Sequence, residues 1–230
     1  QSRKTVTTMI ALLVAVIAIF TVNAHLFKRD HRVTAEQLPL SVKGRYIVDS
    51  GGSRVKLGCV NWYGAEELDY IVGGLAYQSI KTISDLIVSY GFNCIRLPFS
   101  LELIDKNPII SNGTILKMEP SLIGKHAMDI LDAVITGLTN NNLMVILDNH
   151  MSDAQWCCNS NDGNGLWYTA SYPESQWLSL WSQIVTRYKS NKYIIGCDLR
   201  NELRQTTVSG KSLTPTWGSG NTATDWRLAA

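Results

Sequence analysis

Asn201 and Glu202 close the run Tyr193-Ile-Ile-Gly-Cys-Asp-Leu-Arg-Asn-Glu-Leu-Arg204, which starts as an apolar strand and turns polar at its end. Three earlier apolar runs carry polar or aromatic groups at the same end. Leu57–Trp62 finishes in Asn61-Trp62 with Tyr63 next, Asn93–Leu97 holds Arg96 just before Pro98, and Leu143–Leu147 leads into Asp148-Asn149-His150. A glutamate beside an amide, a guanidinium and an imidazole, ringed by Trp and Tyr, suits glycoside hydrolysis. That reaction needs one carboxylic acid to protonate the leaving oxygen and a second carboxylate to attack or to activate water. An adjacent amide can hold a sugar hydroxyl, and a fixed cation such as Arg96 keeps a neighbouring carboxylate ionised. Taken singly, each group has a plainer explanation: a solvated turn for Asn201-Glu202, an ion pair for Arg96, a capping histidine for His150. Their joint placement on four successive runs is what points to a site.

These groups need elements that bring them to one end. Ile80, Ile83, Ile87 and Tyr90 recur at helical spacing and Gly91 stops them; Met128, Leu131, Val134, Ile135 and Leu138 give a second helical face. Pro173-Glu174 opens a third, carrying Trp177, Leu180, Trp181, Ile184, Val185 and Tyr188, with the two tryptophans as core. Strand and helix alternate four times, and the strands are continuously apolar, which predicts parallel strands covered by helices. Functional groups gathered at the C-terminal strand ends select a (β/α)8 barrel over an open doubly wound sheet. No Gly-x-Gly-x-x-Gly or P-loop follows the first strand. Upstream, Arg45–Asp49, the turn Ser50–Ser53 and Arg54–Leu57 read as a small hairpin.

At 230 residues, 45% hydrophobic and 17% charged, the chain has material for one sizeable core. A formal net charge of +2 offers no nucleic-acid surface. Seven Trp and nine Tyr against four Phe suit surfaces with an apolar face and a hydrogen-bonding edge. Arg3 and Lys4 precede the apolar run Met9–Phe20, and Val22 and Ala24 occupy small-residue positions after it. Residues 1–24 therefore read as a signal peptide, with a membrane anchor as the alternative. Residues 25–43 read as a spacer, and 44–230 as the domain, secreted or facing the lumen. The triplet Asn112-Gly113-Thr114 is a glycosylation sequon. Of the five cysteines, Cys59, Cys94 and Cys197 sit in apolar runs and read as buried thiols. Cys157-Cys158, in a polar loop, read as the oxidised pair, with each other or with a cysteine elsewhere. Without His or more Cys at ligand spacing they make no zinc site.

Gly58-Cys-Val-Asn-Trp-Tyr-Gly64, Arg96-Leu-Pro-Phe99, Ile146-Leu-Asp-Asn-His150 and Leu199-Arg-Asn-Glu202, in this order, resemble the N-terminal half of glycoside hydrolase family 5, the cellulase family. Trp156-Cys-Cys and Asp162-Gly-Asn-Gly165 resemble its plant and fungal secreted members more than its bacterial ones. The resemblance covers about residues 40–230 and implies a (β/α)8 barrel and retaining hydrolysis of a β-linked polysaccharide, foremost β-1,4-glucan. A non-catalytic carbohydrate-binding protein and a glycolipid-directed glycosidase remain as alternatives. Carried over by position, Glu202 is the acid/base and Asn201 contacts the sugar 2-hydroxyl. Arg96 supports the nucleophile, His150 belongs to the cleft, and Trp62 and Tyr63 form its aromatic mouth. No metal or cofactor is implied, and the full-length protein is expected to be a monomer, touching a membrane only through an uncleaved N-terminal segment. The family's nucleophile lies on strand seven, so the resemblance places it outside these residues and implies an inactive fragment. Asp148 and Asp198, inside strands, and Asp153 and Asp162, in a mobile-looking loop, do not substitute for it.

Overall fold

The computed structural model describes residues 32–159 and 162–230; the expected leader or anchor lies outside the described residues. Among these, no helix is long and apolar enough to cross a membrane. A 3-10 turn, Ala35–Gln37, leads into β1 (Ser41–Lys43), which pairs antiparallel with β2 (Tyr46–Val48). This revises two expectations. The regular partner of β2 is upstream, inside the segment expected as spacer; the downstream arm contributes a single bridge, Val48 with Arg54, and one bond from Val55 N to Ile47 O at 2.9 Å. Val33 and Leu38, also in that segment, are buried against Cys94 and Met144. An apolar pair spaced across a short turn was enough to anchor it.

The main sheet follows. In chain order come β3 (Cys59–Asn61), α1 (Ile80–Ser89), β4 (Cys94–Ser100), α2 (Leu101–Lys106), the separate short pair β5 (Ile109–Ile110) and β6 (Lys125–His126), α3 (Ala127–Thr139), β7 (Met144–Met151), α4 (Glu174–Tyr188) and β8 (Ile194–Asp198). The strand order is β3-β4-β7-β8, all parallel. This is the strand–helix repeat of a (β/α)8 barrel, here as an open four-stranded sheet. A hairpin, β9 (Thr206–Val208) with β10 (Lys211–Leu213), and a short helix α5 (Trp226–Ala229) complete the described chain. With two to six residues each, α2, β5, β6, β9 and β10 are too short to show a period in the sequence.

Local chemistry explains the helix ends. Ser79 Oγ accepts from Thr82 N at 3.1 Å and starts α1, while Gly91, at φ +85°, enters the left-handed region just beyond its end. Asn107, at φ +38°, ends α2, and its Oδ1 accepts from Met128 N at 2.9 Å, so one side chain also caps α3. Along β4 and β7, period two sorts the side chains. Ile95, Leu97, Phe99, Val145 and Leu147 are buried in the core with the helices. Each such side chain contributes about 1.5–3 kcal/mol by leaving water. Cys94 and Met144 belong instead to the cluster sealed by Val33 and Leu38, and Arg96, Asp148 and His150 follow on the same alternation. These polar groups thus share a face with an apolar plug beneath them.

The cysteines depart from expectation. Cys59 and Cys94 are register partners on β3 and β4, with Cα atoms 4.2 Å apart, and their sulfurs are bonded. Cys197 is a free thiol, but an exposed one, because β8 is an outer strand of the sheet. Strand register, which sets which side chains meet, is not carried by local composition. Cys157 and Cys158 are bonded to each other.

Candidate active site

Arg96 is the hub of the strand ends. Its Nε and Nη2 donate to Asp198 Oδ2 at 3.0 and 2.7 Å, its Nη1 lies 3.0 Å from Asp148 Oδ2, and Nη2 also donates to Asn201 Oδ1 at 3.0 Å. Asn61 Oδ1, the register neighbour on β3, accepts from Nη1 at 3.5 Å. Register puts Pro98, Asp148 and Asp198 at one level of β4, β7 and β8, so the planar guanidinium spans the gap between two acidic strands. Burial raises the Asp148 pKa above its ordinary value; the bond from His150 and the Arg96 charge oppose the shift without cancelling it.

His150 Nδ1 lies 2.7 Å from Asp148 Oδ2, and its Nε2 lies 3.3 Å from Asn201 Nδ2. The Arg96 bond assigns the Asn201 amide: Oδ1 accepts from Arg96, so Nδ2 donates to His150. His150 Nε2 is then the acceptor and Nδ1 carries the proton towards Asp148. Four side chains, from β4, β7 and the turn after β8, form one chain of bonds with every direction defined.

Glu202 follows Asn201 with φ +39°, a left-handed conformation that costs a non-glycine residue on the order of 1 kcal/mol or more. The backbone is held on both sides. Asn201 N donates to Asn149 O at 3.1 Å, and Arg204 Nη1 donates to Glu202 O at 3.1 Å. The Glu202 side chain is exposed, and its carboxylate lies within 4.8 Å of both Cys157 and Cys158 sulfurs.

Those sulfurs belong to the loop after β7, whose described residues are fastened at several points. Asn164, fully buried, accepts on Oδ1 from Ser152 N at 2.8 Å and Asp153 N at 3.2 Å. Arg200 is buried beneath the loop, donating to Leu166 O at 2.9 Å and Asn164 O at 2.5 Å. Burial, with Arg204 nearby, pushes its pKa down to about 10. Asp162 pairs with Arg204, and Gly165 packs on the backbone of Arg204. The same run that delivers Asn201 and Glu202 therefore also locks the loop carrying the disulfide.

A cavity of about 200 Å³ opens at these strand ends, lined by Asn61, Tyr63, Glu66, Arg96, His150 and Trp156, with Pro98 and Cys157 completing its wall. Tyr63 and Trp156 meet edge to face, with ring centroids 5.9 Å apart and planes at 85°. Trp62 does not join them. It is buried, its indole N–H donating to Gly73 O at 2.8 Å, because alternation turns it away from its neighbour Tyr63. Trp156 and Glu66, whose Oε2 accepts from Gly64 N at 2.7 Å, were not singled out as site residues from the sequence. Trp156 had a signal in its polar Asn- and Gly-rich loop; Glu66 had none. Asn112 lies elsewhere, exposed on a turn where its Oδ1 accepts from Thr114 N at 3.0 Å. A larger groove, about 620 Å³, lies between α1 and α3, away from the strand ends.

Known proteins resemble this chain in sequence and in fold. A chain from Paenibacillus polymyxa described as an endoglucanase is 37% identical over 196 residues, which is 83% of this chain and 46% of that one. A glycosyl hydrolase 5 family protein of the plant Chamaecyparis obtusa is 34% identical over 187 residues, covering 74% of this chain and 33% of that protein. Bacterial and plant relatives thus match at similar identity, and the likeness to plant members is not exclusive. Among solved structures, the catalytic domain of the major endoglucanase from Xanthomonas campestris pv. campestris superposes with a TM-score of 0.70 at 33% identity, over 83% of this chain and 51% of that one. A cellotetraose complex of the endocellulase from Pyrococcus horikoshii gives 0.72 at 29% identity, over 86% and 53%. The chain spans about half the length of these relatives, or less. With residues 48–229 matching the family profile, it belongs to the cellulase family, glycosyl hydrolase family 5.

Proposed function

We propose that the protein carrying this chain is a retaining endo-β-1,4-glucanase in which Glu202 is the general acid/base. The observation that carries this reading is Glu202 held in a left-handed turn at the end of β8, directly after an Asn201 whose amide is fixed by Arg96 and His150. A proton donor fixed by its backbone can reach a glycosidic oxygen without reorganising first. Asn201, Arg96 and His150 would then position the sugar and the charges around it. Tyr63 and Trp156 offer apolar ring faces to a pyranose. Asp148 and Asp198 are both engaged by Arg96, so the reading takes its nucleophile from a strand other than these four.

The relatives described as endoglucanases and the cellotetraose-bound neighbour support a β-glucan substrate. Secretion, with glycosylation at the exposed Asn112, fits the charged and then apolar start of the chain and a relative described as a major extracellular endoglucanase. The test is hydrolysis of carboxymethylcellulose by the whole protein. Glu202→Gln should lower turnover by about 10²–10⁴-fold, the usual share of general acid–base catalysis. Wild-type turnover in that variant would remove Glu202 from the role.

A further inference from the structure

Cys157, Cys158 and Glu202 bring two sulfurs and a carboxylate oxygen within 4.8 Å of one another. The sulfurs come from the loop after β7 and the carboxylate from the turn after β8, so no sequence spacing announces the trio. Tetrahedral bonds of about 2.3 Å to sulfur and 2.0–2.2 Å to oxygen put ligand atoms about 3.5–4 Å apart. The two sulfurs, bonded to each other, must part to reach that spacing, and the carboxylate oxygen must close on them. Thiolates with one carboxylate favour soft or borderline cations. While the sulfurs are bonded to each other, they offer no thiolate, and the site is shut.

We propose that Cys157, Cys158 and Glu202 form a latent site for a soft divalent cation, such as Zn²⁺ or Cd²⁺, opened by reduction of the Cys157–Cys158 bond. The opening step is a two-electron exchange with a dithiol reductant. The S–S bond takes up two electrons and two protons to give two thiols, and the reductant leaves as its own disulfide. Binding then forms two metal–sulfur bonds and one metal–oxygen bond and releases the two thiol protons. The surroundings favour the arrangement. Asn201 Nδ2 stands 3.5 Å from the Cys157 sulfur and 3.7 Å from that of Cys158, giving an N–H donor beside developing thiolates. Asn164 and Arg204 hold the loop ends in place after the bond opens.

The consequence rests on the reading of Glu202 as the acid/base. A carboxylate bound to a cation cannot carry a proton, so reduction in the presence of the metal shuts off the glucanase and reoxidation restores it.

The test separates binding from activity. The full chain carrying Cys197→Ser, oxidised or treated with a dithiol reductant that is then removed, is titrated with Cd²⁺ and followed by thiolate-to-cadmium absorption in the ultraviolet. One equivalent should bind the reduced chain and none the oxidised chain. Cys157→Ser/Cys158→Ser should lose that equivalent, and Glu202→Gln should weaken it by on the order of 10–100-fold, as lost metal-site groups do. Equal binding by the double serine variant, or unchanged affinity in Glu202→Gln, overturns the site. In the whole protein, Cd²⁺ should inhibit hydrolysis only after reduction. If neither form hydrolyses glucan, the proposed activity fails, while the titration still decides the site.

Discussion

Arg96 and Asp148 form an ion pair whose acid is entirely buried and whose base is not: Nη1 stands 3.0 Å from Oδ2, with side-chain exposures of 23% and 0%. Asp148 depends on this contact. Its Oδ2 meets Arg96 and His150, while its buried Oδ1 has no hydrogen-bond partner among the described residues. Arg96→Ala would strand the acid in the sheet, and breaking a buried pair from one side costs about 3–5 kcal/mol. Arg96→Lys should recover only part of this, since one ammonium cannot serve Asp148, Asp198 and Asn201 together. Urea denaturation measures both; a loss under about 1 kcal/mol for Arg96→Ala would class the pair with surface bridges.

The placement of Arg96, His150, Asn201 and Glu202 was readable because each interrupts an apolar run, and a strand end is where such a change of polarity becomes tolerable. Gly91, Pro173 and the spacing of Met128–Leu138 marked the helices for equally local reasons. What stayed hidden depends on register and on contacts between distant segments. Cys59 and Cys94 look like two separate core thiols until β3 and β4 are aligned. Trp62 and Tyr63 look like one aromatic mouth until alternation sends them to opposite sides. The loop after β7 looks mobile by composition, and only the buried Arg200 and Asn164 show that its polar residues are spent on holding it down.

The hydrogen-bond directions around His150 make a spectroscopic prediction. With Asn201 Nδ2 donating to Nε2, the ring proton belongs on Nδ1, facing Asp148. Long-range nitrogen–proton correlation spectra of the imidazole should show the Nδ1–H tautomer. Asn201→Asp replaces that donor with an acceptor and should abolish the pattern. An Nε2–H tautomer in the unaltered protein would reverse the Asn201 amide and break its bond with Arg96.

Gly165 has room for no side chain. A Cβ there would stand 2.4 Å from the Arg204 carbonyl oxygen and 2.7 Å from Thr206 Cβ. Gly165→Ala must therefore lift the loop from the turn after β8, at a cost of about 1–3 kcal/mol. Limited proteolysis should cut within residues 151–168 faster in this variant. Gly196→Ala, on β8 with nothing among the described residues within 4 Å of its added Cβ, is the control and should leave the cutting rate unchanged.

Acid sensitivity should run through Glu102 in α2. Burial works to raise its pKa but is outweighed by Lys106, the Tyr70 hydroxyl at 2.7 Å and Ala154 N–H at 2.8 Å, so the net value lies below the usual 4.5. The folded state therefore binds fewer protons at this site than the unfolded chain. Its stabilisation is complete above the unfolded value and is lost as pH falls through the lowered folded one. Asp148 has the opposite sign: its raised pKa lets the fold hold a proton, so its contribution is complete below 3.8 and is lost as pH rises through the folded value. Acid unfolding cannot come from Asp148. Glu102→Gln should lower stability at neutral pH and flatten its decline between about pH 5 and pH 1, the range over which a paired carboxylate titrates. Urea midpoints across that range measure the slope. An acid limb as steep in Glu102→Gln as in the unaltered protein would move the sensitivity to another carboxylate.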